Sequence, residues 1–130
     1  MIVEAPVAIV SGGSSGIGLA VARRLLTLGH RVILLARDPD RLEAARLALD
    51  PSENGSVTVD PVDVTDAEAC RATIEAVLLR WRRIDWLVTS AGQVEPALFL
   101  EADEAEFERL MAVNYFGTLN LVRPVARHMA

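Results

Sequence analysis

A loop rich in glycine and serine follows the first apolar run of the chain and has the composition of a phosphate-binding loop. It spans residues 11–18 and reads Ser-Gly-Gly-Ser-Ser-Gly-Ile-Gly. Glycine allows the backbone to approach a ligand closely, and the first N–H groups of a following helix attract anions. A plain tight turn is the alternative, but it would not require so many glycines and serines. The residues expected to bind phosphate are Gly12, Ser14, Ser15, Gly16, Ile17 and Gly18.

The elements that position this loop alternate between strands and helices. Apolar runs predict strands over 6–10, 31–36, 56–62 and 84–89. Helical spacing predicts helices over 17–28, 39–49, 67–83 and 104–130, with a turn over 50–55. Asp38 followed by Pro39 is expected to cap the second helix. The alternation indicates one α/β domain, residues 1–130: a Rossmann-type, doubly wound parallel sheet of about four strands between two layers of helices. Right-handed crossovers predict the strand order 3-2-1-4 and a ligand crevice between strands 1 and 4.

Composition restricts the class of protein. The chain has a net charge of -5, which argues against nucleic acid as the main partner. Its single cysteine, Cys70, has no neighbouring His or second Cys, so we expect a buried helix residue and no metal site. No signal peptide precedes the loop, and no apolar run approaches the ~18 residues of a membrane span. We therefore expect a cytoplasmic protein without a membrane segment in this chain.

The glycine spacing, G-x-x-x-G-x-G, carries a resemblance to a known family. It resembles the T-G-x-x-x-G-x-G motif of the short-chain dehydrogenases/reductases, with Ser11 in place of threonine. After the third predicted strand, Asp63 and Val64 resemble the Asp-Val pair with which that family contacts adenine. The family binds NAD(P) in a Rossmann fold, so the resemblance implies a dinucleotide site at this loop.

Two later motifs extend the resemblance over essentially the whole chain. Ser90, Ala91 and Gly92 resemble the end of the family's Asn-Asn-Ala-Gly motif, although Thr89 and Ser90 replace its two asparagines. Asn114 matches the asparagine that the family places in the helix after the fourth strand. The resemblance implies that Asn114 perturbs its helix and holds a water molecule of a proton relay. Four motifs in the family's order make the resemblance specific.

The end of the second strand predicts which nicotinamide cofactor binds. Family members that prefer NAD carry an acid there, but this chain has Ala36, followed by Arg37 and, one helical turn on, Arg41. Guanidinium groups suit a 2′-phosphate through paired, charge-assisted hydrogen bonds. We therefore expect NADP(H) in preference to NAD(H). The alternative is that both arginines are surface charges and that Asp38 binds the ribose.

The family's catalytic Tyr-x-x-x-Lys is missing from the sequence. The only tyrosine is Tyr115, Leu119 stands four residues beyond it, and the chain contains no lysine. In the family, the catalytic residues are an Asn followed along the chain by a Ser, a Tyr and a Lys. Asn114 is therefore the only one of these four residues that we expect in this chain. We interpret the chain as incomplete at its C-terminal end and expect these residues alone to be inactive.

The last predicted helix is apolar on more than one face, so it needs a partner besides the sheet. In the family this helix contributes to a dimer interface, which implies a homo-oligomer of the intact protein. Packing against the remainder of the same subunit is the alternative. The fourth strand is expected at an open edge of the sheet, which a further part of the fold or another chain would cover.

Two functions remain open from the sequence. The resemblance implies an NADP(H)-dependent oxidoreductase that transfers hydride to or from a small-molecule carbonyl or alcohol. A non-catalytic NADP(H)-binding module is the alternative. The Ala36-Arg37 pair and the segment 107–118 resemble, more narrowly, the 3-ketodihydrosphingosine reductase branch. We interpret Asp85, Glu95 and the acidic run 101–108 as solvated surface.

Overall fold

The computed structural model describes residues 4–49, 56–94 and 97–130. Its strands form one parallel sheet in the predicted order β3-β2-β1-β4. They are β1 (Val7–Ser11), β2 (Arg31–Ala36), β3 (Ser56–Pro61) and β4 (Trp86–Thr89). The helices are α1 (Gly16–Thr27), α2 (Pro39–Ala48), α3 (Ala67–Trp81), α4 (Glu104–Met111) and α5 (Gly117–Met129). The predicted turn over 50–55 lies outside the described residues.

Alternate residues of the central strand face opposite layers of helices. β1 is buried along its whole length. Val7 and Ile9 belong to the cluster formed with α3 and α5, whereas Ala8 and Val10 belong to the cluster formed with α1 and α2. Because side chains alternate along a strand, a sheet buried on both faces has this near-continuous apolar sequence. The Rossmann-type three-layer fold is therefore confirmed.

Aspartate side chains cap three of the helices. Asp38, Asp66 and Asp103 each accept a hydrogen bond from a backbone N–H of the first turn of α2, α3 and α4, respectively. Those N–H groups have no partner within the helix, so an N-cap acceptor stabilises the helix start. The prediction that Asp38 caps its helix is confirmed.

The inward face of α1 differs from the one that its apolar spacing predicts. Ile17 and Leu28 share helical spacing with Leu25 in the sequence, but they are 79% and 56% exposed. The buried residues are Gly18, Ala22, Leu25 and Leu26. Gly18 packs directly against the glycine loop, and only glycine fits there because a Cβ would lie 2.3 Å from the carbonyl oxygen of Gly12. Close backbone contact therefore orients α1, and a hydrophobic pattern does not record such a contact.

The helix predicted over 104–130 contains a widened turn. A π-helical segment, Ala112–Phe116, separates α4 from α5. Asn114 lies at the centre of this segment. A π-helical turn holds one extra residue and is often found at functional sites. The apolar pattern continues through the segment, so helical periodicity could not reveal the widened turn.

Asp85 is not the solvated surface residue that the sequence predicts. It is half-buried and accepts a hydrogen bond from the N–H of Val7 at 2.8 Å. The guanidinium of Arg83 donates two more, at 2.8 and 2.7 Å. The carboxylate therefore joins the chain before β4 to the start of β1. Glu95 lies outside the described residues, and the acidic residues of the run 101–108 are exposed apart from a half-buried Glu106.

Large apolar side chains remain exposed on the last helices. Leu121 and Val125 are buried in the core, whereas Phe107, Met111 and Phe116 are 41–54% exposed. This agrees with a helix that is apolar on more than one face, while homo-oligomerisation stays a prediction. Within the described residues, no helix is both long and apolar enough to cross a membrane.

Candidate functional site

A cavity of about 560 Å³ opens at the carboxyl ends of the four strands. Every residue that the sequence predicts to bind the cofactor lines it. These residues are Gly12, Ser14, Ser15, Gly16, Ile17, Gly18, Arg37, Arg41, Asp63, Val64, Ser90, Ala91 and Gly92. The cavity lies at the point where the strand order reverses, between β1 and β4, which is where open α/β sheets bind ligands.

Glycine at positions 12 and 18 allows the loop to pack against the end of β4. Gly12 has φ +67°, and a Cβ there would lie 2.6 Å from the backbone nitrogen of Ala91. A Cβ on Gly18 would lie 2.4 Å from Ser90 Oγ. Gly16 differs, because a Cβ there would meet no atom within 4 Å. The first two glycines are needed for close packing, whereas Gly16 borders open space beside the cavity.

The first turn of α1 keeps its backbone donors available for a ligand. Ser15 is the N-cap residue, but its side chain makes no capping hydrogen bond, and the first turn holds no acidic residue. By contrast, α2, α3 and α4, which begin with an aspartate cap, carry acidic residues in the first turn. The start of α1 therefore offers unpaired N–H groups and the positive end of the helix dipole to an anion.

Ser90 joins the carboxyl ends of β1 and β4 in place of the asparagine of the resembled motif. Its Oγ donates to the carbonyl oxygen of Ser11 at 2.6 Å, with Gly12 O at 3.4 Å. Its backbone N–H also donates to Ser11 O, at 3.1 Å. The turn therefore has a direct side-chain bond to the glycine loop, although serine is shorter than asparagine.

Arg37 and Arg41 are exposed and border the cavity beside Ala36. Asp38 also borders it, but Asp38 Oδ1 already accepts the backbone N–H groups of Asp40 and Arg41, at 2.9 and 3.2 Å. The carboxylate of Asp38 is thus partly used in capping α2. The arginine side chains project two positive charges toward a part of the cavity where β2 ends without an acid.

Asp63 presents an ionised carboxylate on the neighbouring wall. The N–H and hydroxyl of Thr65 donate to it and lower its pKa below the usual 3.8, and the charge of Arg37 adds to this effect. The next residue, Val64, is buried, and its carbonyl oxygen accepts a hydrogen bond from Asn120 Nδ2 at 2.8 Å. The turn after β3 is therefore fixed from both sides.

Asn114 does not line the cavity but holds a residue that does. Its Nδ2 donates to the carbonyl oxygen of Gln93 at 2.9 Å, and its Oδ1 accepts the N–H of Gln93 at 2.8 Å. Gln93 borders the cavity directly after Gly92. The carbonyl oxygen of Asn114 accepts the hydroxyl of Thr118 at 2.9 Å. The π-helical segment thus positions the loop after β4.

Three residues of this region were not predicted from the sequence. Gln93 follows the Ser-Ala-Gly motif directly, and that adjacency was the signal available for it. Thr65 lies two residues after Asp63, which is the spacing of an Asx turn. Asn120 had no local signal, because its partner Val64 lies 56 residues away in the sequence.

The fold and cavity together define a Rossmann-type nucleotide-binding domain. The family model described as short chain dehydrogenase matches residues 6–130. The chain therefore belongs to the short-chain dehydrogenase/reductase family, whose members are oxidoreductases.

Named relatives agree with this assignment. A fatty acyl-CoA reductase of Acinetobacter baylyi is 34% identical over 129 residues, which are 98% of this chain and 43% of that protein. The structure of an alcohol dehydrogenase from Thermococcus sibiricus complexed with 5-hydroxy-NADP has a TM-score of 0.89 and 32% identity, covering 97% of this chain and 54% of that one.

The L-sorbose reductase of Gluconobacter frateurii, solved with NADPH and L-sorbose, has a TM-score of 0.87 at 30% identity. The match covers 98% of this chain and 48% of that one. The chain spans roughly half of these two solved structures and 43% of the acyl-CoA reductase.

Proposed function

We propose that this chain binds NADP(H) and serves as the cofactor-binding part of an oxidoreductase acting on a small-molecule carbonyl or alcohol. A bound nicotinamide would supply the hydride donor or acceptor. The residues of this chain would bind and orient the cofactor: the glycine loop and the start of α1 for the pyrophosphate, Asp63 and Val64 for the adenine, and Gln93 beside the nicotinamide end.

The cavity has the size and donor set that such a ligand needs. Its volume of about 560 Å³ falls within the ~300–1,000 Å³ of typical small-molecule sites. Unpaired N–H groups at the start of α1 suit a phosphate. The open space beside Gly16 leaves room for the ligand to approach the backbone.

The preference for the phosphorylated cofactor rests on one observation: Arg37 and Arg41 border the cavity where β2 ends at Ala36. A 2′-phosphate there would gain charge-assisted hydrogen bonds from the guanidinium groups. An acid at Ala36 would instead repel it. The capping bonds of Asp38 further support this proposal over ribose binding by Asp38. The alcohol dehydrogenase and sorbose reductase named above were solved with NADP-type cofactors.

Titration of the purified protein with NADPH and with NADH tests the proposal. We expect NADPH to bind at least ~10-fold more tightly, because hydrogen bonds between charged groups contribute about 1.5–3 kcal/mol. The double variant Ala36→Asp, Arg37→Ile should invert the preference. Arg24→Ala is the matched control, since it also removes an exposed positive charge but does not border the cavity.

Each result bears on a separate part of the proposal. Equal affinities for the two cofactors, unchanged in the double variant, would refute the NADP(H) preference. Absence of saturable binding by either cofactor, in a sample with the circular dichroism of a folded α/β protein, would refute cofactor binding itself.

Hydride transfer by the intact protein is a further part of the proposal. The 130 residues contain no lysine and no Tyr-x-x-x-Lys, so we expect this chain alone to bind cofactor without oxidising it. Following the absorbance of NADPH in the presence of aldehydes and ketones tests this. Turnover by the isolated chain would contradict the expectation. The narrower resemblance to 3-ketodihydrosphingosine reductases and a cytoplasmic location stay predictions.

A further inference from the structure

The carboxylate of Asp63 is held in one orientation by Thr65. The backbone N–H of Thr65 donates to Asp63 Oδ1 at 3.0 Å, and its hydroxyl donates to the same oxygen at 2.8 Å. Within the described part of the chain, no hydrogen bond to Oδ2 is found. One carboxylate oxygen is thus engaged by the protein, and the other is left to accept a hydrogen bond from a ligand.

The backbone beneath this side chain is also fixed. The N–H of Asp66 donates to Asp63 O at 3.0 Å, and Asn120 Nδ2 donates to Val64 O at 2.8 Å. Gly117 lies so close to Val64 that a Cβ there would meet Val64 Cγ2 at 2.6 Å. With the backbone held in this way, rotation of the Asp63 side chain is the main remaining freedom, and Thr65 restricts it.

An oriented carboxylate distinguishes between purine bases. Adenine carries an amino group at position 6, which donates hydrogen bonds, whereas hypoxanthine carries a carbonyl oxygen there, which only accepts them. An ionised carboxylate can only accept. The donors of Thr65 and the charge of Arg37 lower the pKa of Asp63 below its usual 3.8, so the carboxylate is ionised at neutral pH. An adenine amino group beside it would be bound, and a hypoxanthine oxygen would be repelled.

We propose that Thr65 is a positioning residue that makes this cavity selective for adenine dinucleotides over their hypoxanthine analogues. The inference rests on the proposed binding of NADP(H) and assigns a role that the sequence resemblance did not give. Thr65 acts through Asp63 and does not touch the cofactor itself. Its hydroxyl limits the carboxylate to the orientation in which one oxygen accepts from the base.

The test compares two probes, NADPH and reduced nicotinamide hypoxanthine dinucleotide phosphate, by titration of the purified 130-residue chain. We expect the wild type to bind NADPH at least ~10-fold more tightly, as for a hydrogen bond to a charged acceptor. Thr65→Val removes the hydroxyl at nearly constant volume and should lower this ratio by ~3- to 10-fold. Thr65→Ser keeps the hydroxyl and should keep the ratio.

Thr27→Val is the matched control, because the hydroxyl of Thr27 also donates to a backbone carbonyl, that of Arg23 at 3.0 Å, but does not border the cavity. It should leave the ratio unchanged. A purely structural loss would weaken the binding of both probes equally and leave their ratio intact. The ratio therefore reports on the orientation of Asp63 and not on stability.

Three outcomes separate this inference from the proposed function. If the wild type binds both probes equally well, cofactor binding stands, but selection of the adenine base by Asp63 is overturned. A ratio that survives Thr65→Val overturns the role of Thr65; should that variant fail to fold, Thr65→Ala is measured in its place with the same criterion. A folded wild type that binds neither probe overturns the proposed function, and this inference with it.

Discussion

Asn114 and Gln93 exchange two hydrogen bonds, at 2.9 and 2.8 Å, although 21 residues separate them in the sequence. Asn114 uses its side-chain amide for both bonds, whereas Gln93 uses only its backbone. The pair joins the centre of the π-helical segment to the loop that follows β4. A widened helical turn and a wall of the cavity are thereby fixed to each other.

Asn114→Ala should therefore weaken the loop after β4. We expect a loss of about 1 kcal/mol in the free energy of unfolding, because two exposed hydrogen bonds between the Asn114 side chain and the Gln93 backbone are exchanged for bonds to water. Urea denaturation measures this change. Gln93→Ala is the control, since it leaves the backbone partners of Asn114 in place. An unchanged stability of Asn114→Ala would show that this pairing does not stabilise the loop.

The strand order and the location of the cavity could be predicted because local patterns determine them. Apolar runs separated by helical segments require parallel pairing, and the glycine loop after β1 marks the ligand end of the sheet. Asp38 before a proline was likewise sufficient to predict the start of α2. In each case the signal lies within a few residues of the feature that it specifies.

The features that local sequence patterns did not reveal depend on contacts between distant residues. The π-helical turn accompanies a side-chain pairing between Asn114 and Gln93, and no periodicity records it. Asp85 looked like a surface acid because its partner Val7 lies 78 residues away. The outward position of Ile17 depends on how closely Gly18 approaches Gly12. Tertiary contact, which is absent from a local pattern, decided all three.

Gly18→Ala and Gly16→Ala should have different effects, although both residues belong to the same loop. A Cβ at Gly18 would lie 2.3 Å from Gly12 O and 2.4 Å from Ser90 Oγ, so either the loop or α1 must move. We expect a destabilisation of ~1–3 kcal/mol, as for other overpacked sites. Thermal unfolding followed by circular dichroism measures it.

Gly16→Ala should fold, since a Cβ there meets no atom within 4 Å. Its φ of +55° makes alanine unfavourable by about 1 kcal/mol. The added methyl group would project toward the space beside the cavity, so NADPH should bind more weakly while the fold persists. If Gly16→Ala unfolds and Gly18→Ala does not, the loop packs differently from the arrangement described above.

The ion pair at the other end of the sheet should make stability depend on pH. Hydrogen bonds from Arg83 hold the pKa of Asp85 below its usual value of 3.8, and the N–H of Val7 adds to this effect. A carboxyl group with a lowered pKa in the folded state stabilises the fold above its unfolded-state pKa. That contribution is lost as the pH falls through the folded-state value.

Asp85→Asn should therefore be less stable than the wild type at neutral pH, and the difference should shrink as the pH falls below 3.8. Urea unfolding midpoints across this range measure the difference. Glu68→Gln, which affects only the exposed pair with Arg71, should change little at any pH. A gap between wild type and Asp85→Asn that stays constant down to acidic pH would contradict the assignment.

Cys70 should be unreactive in the folded protein. Its side chain is fully buried, and its Sγ lies 3.7 Å from Val64 O and 3.9 Å from Asp63 O. Burial raises the pKa of the thiol to about 11, and the negative charges of Asp66 and Asp63 add to the shift. Because the thiolate is the reactive form, both exclusion of reagent and the raised pKa slow alkylation and disulfide exchange.

A thiol-specific reagent at mildly alkaline pH tests this directly, because the chain has a single cysteine and the signal has one source. We expect negligible labelling under native conditions and complete labelling in guanidinium chloride. Rapid labelling of the native protein would mean that the turn after β3, and with it Asp63, opens far more often than its hydrogen bonds imply.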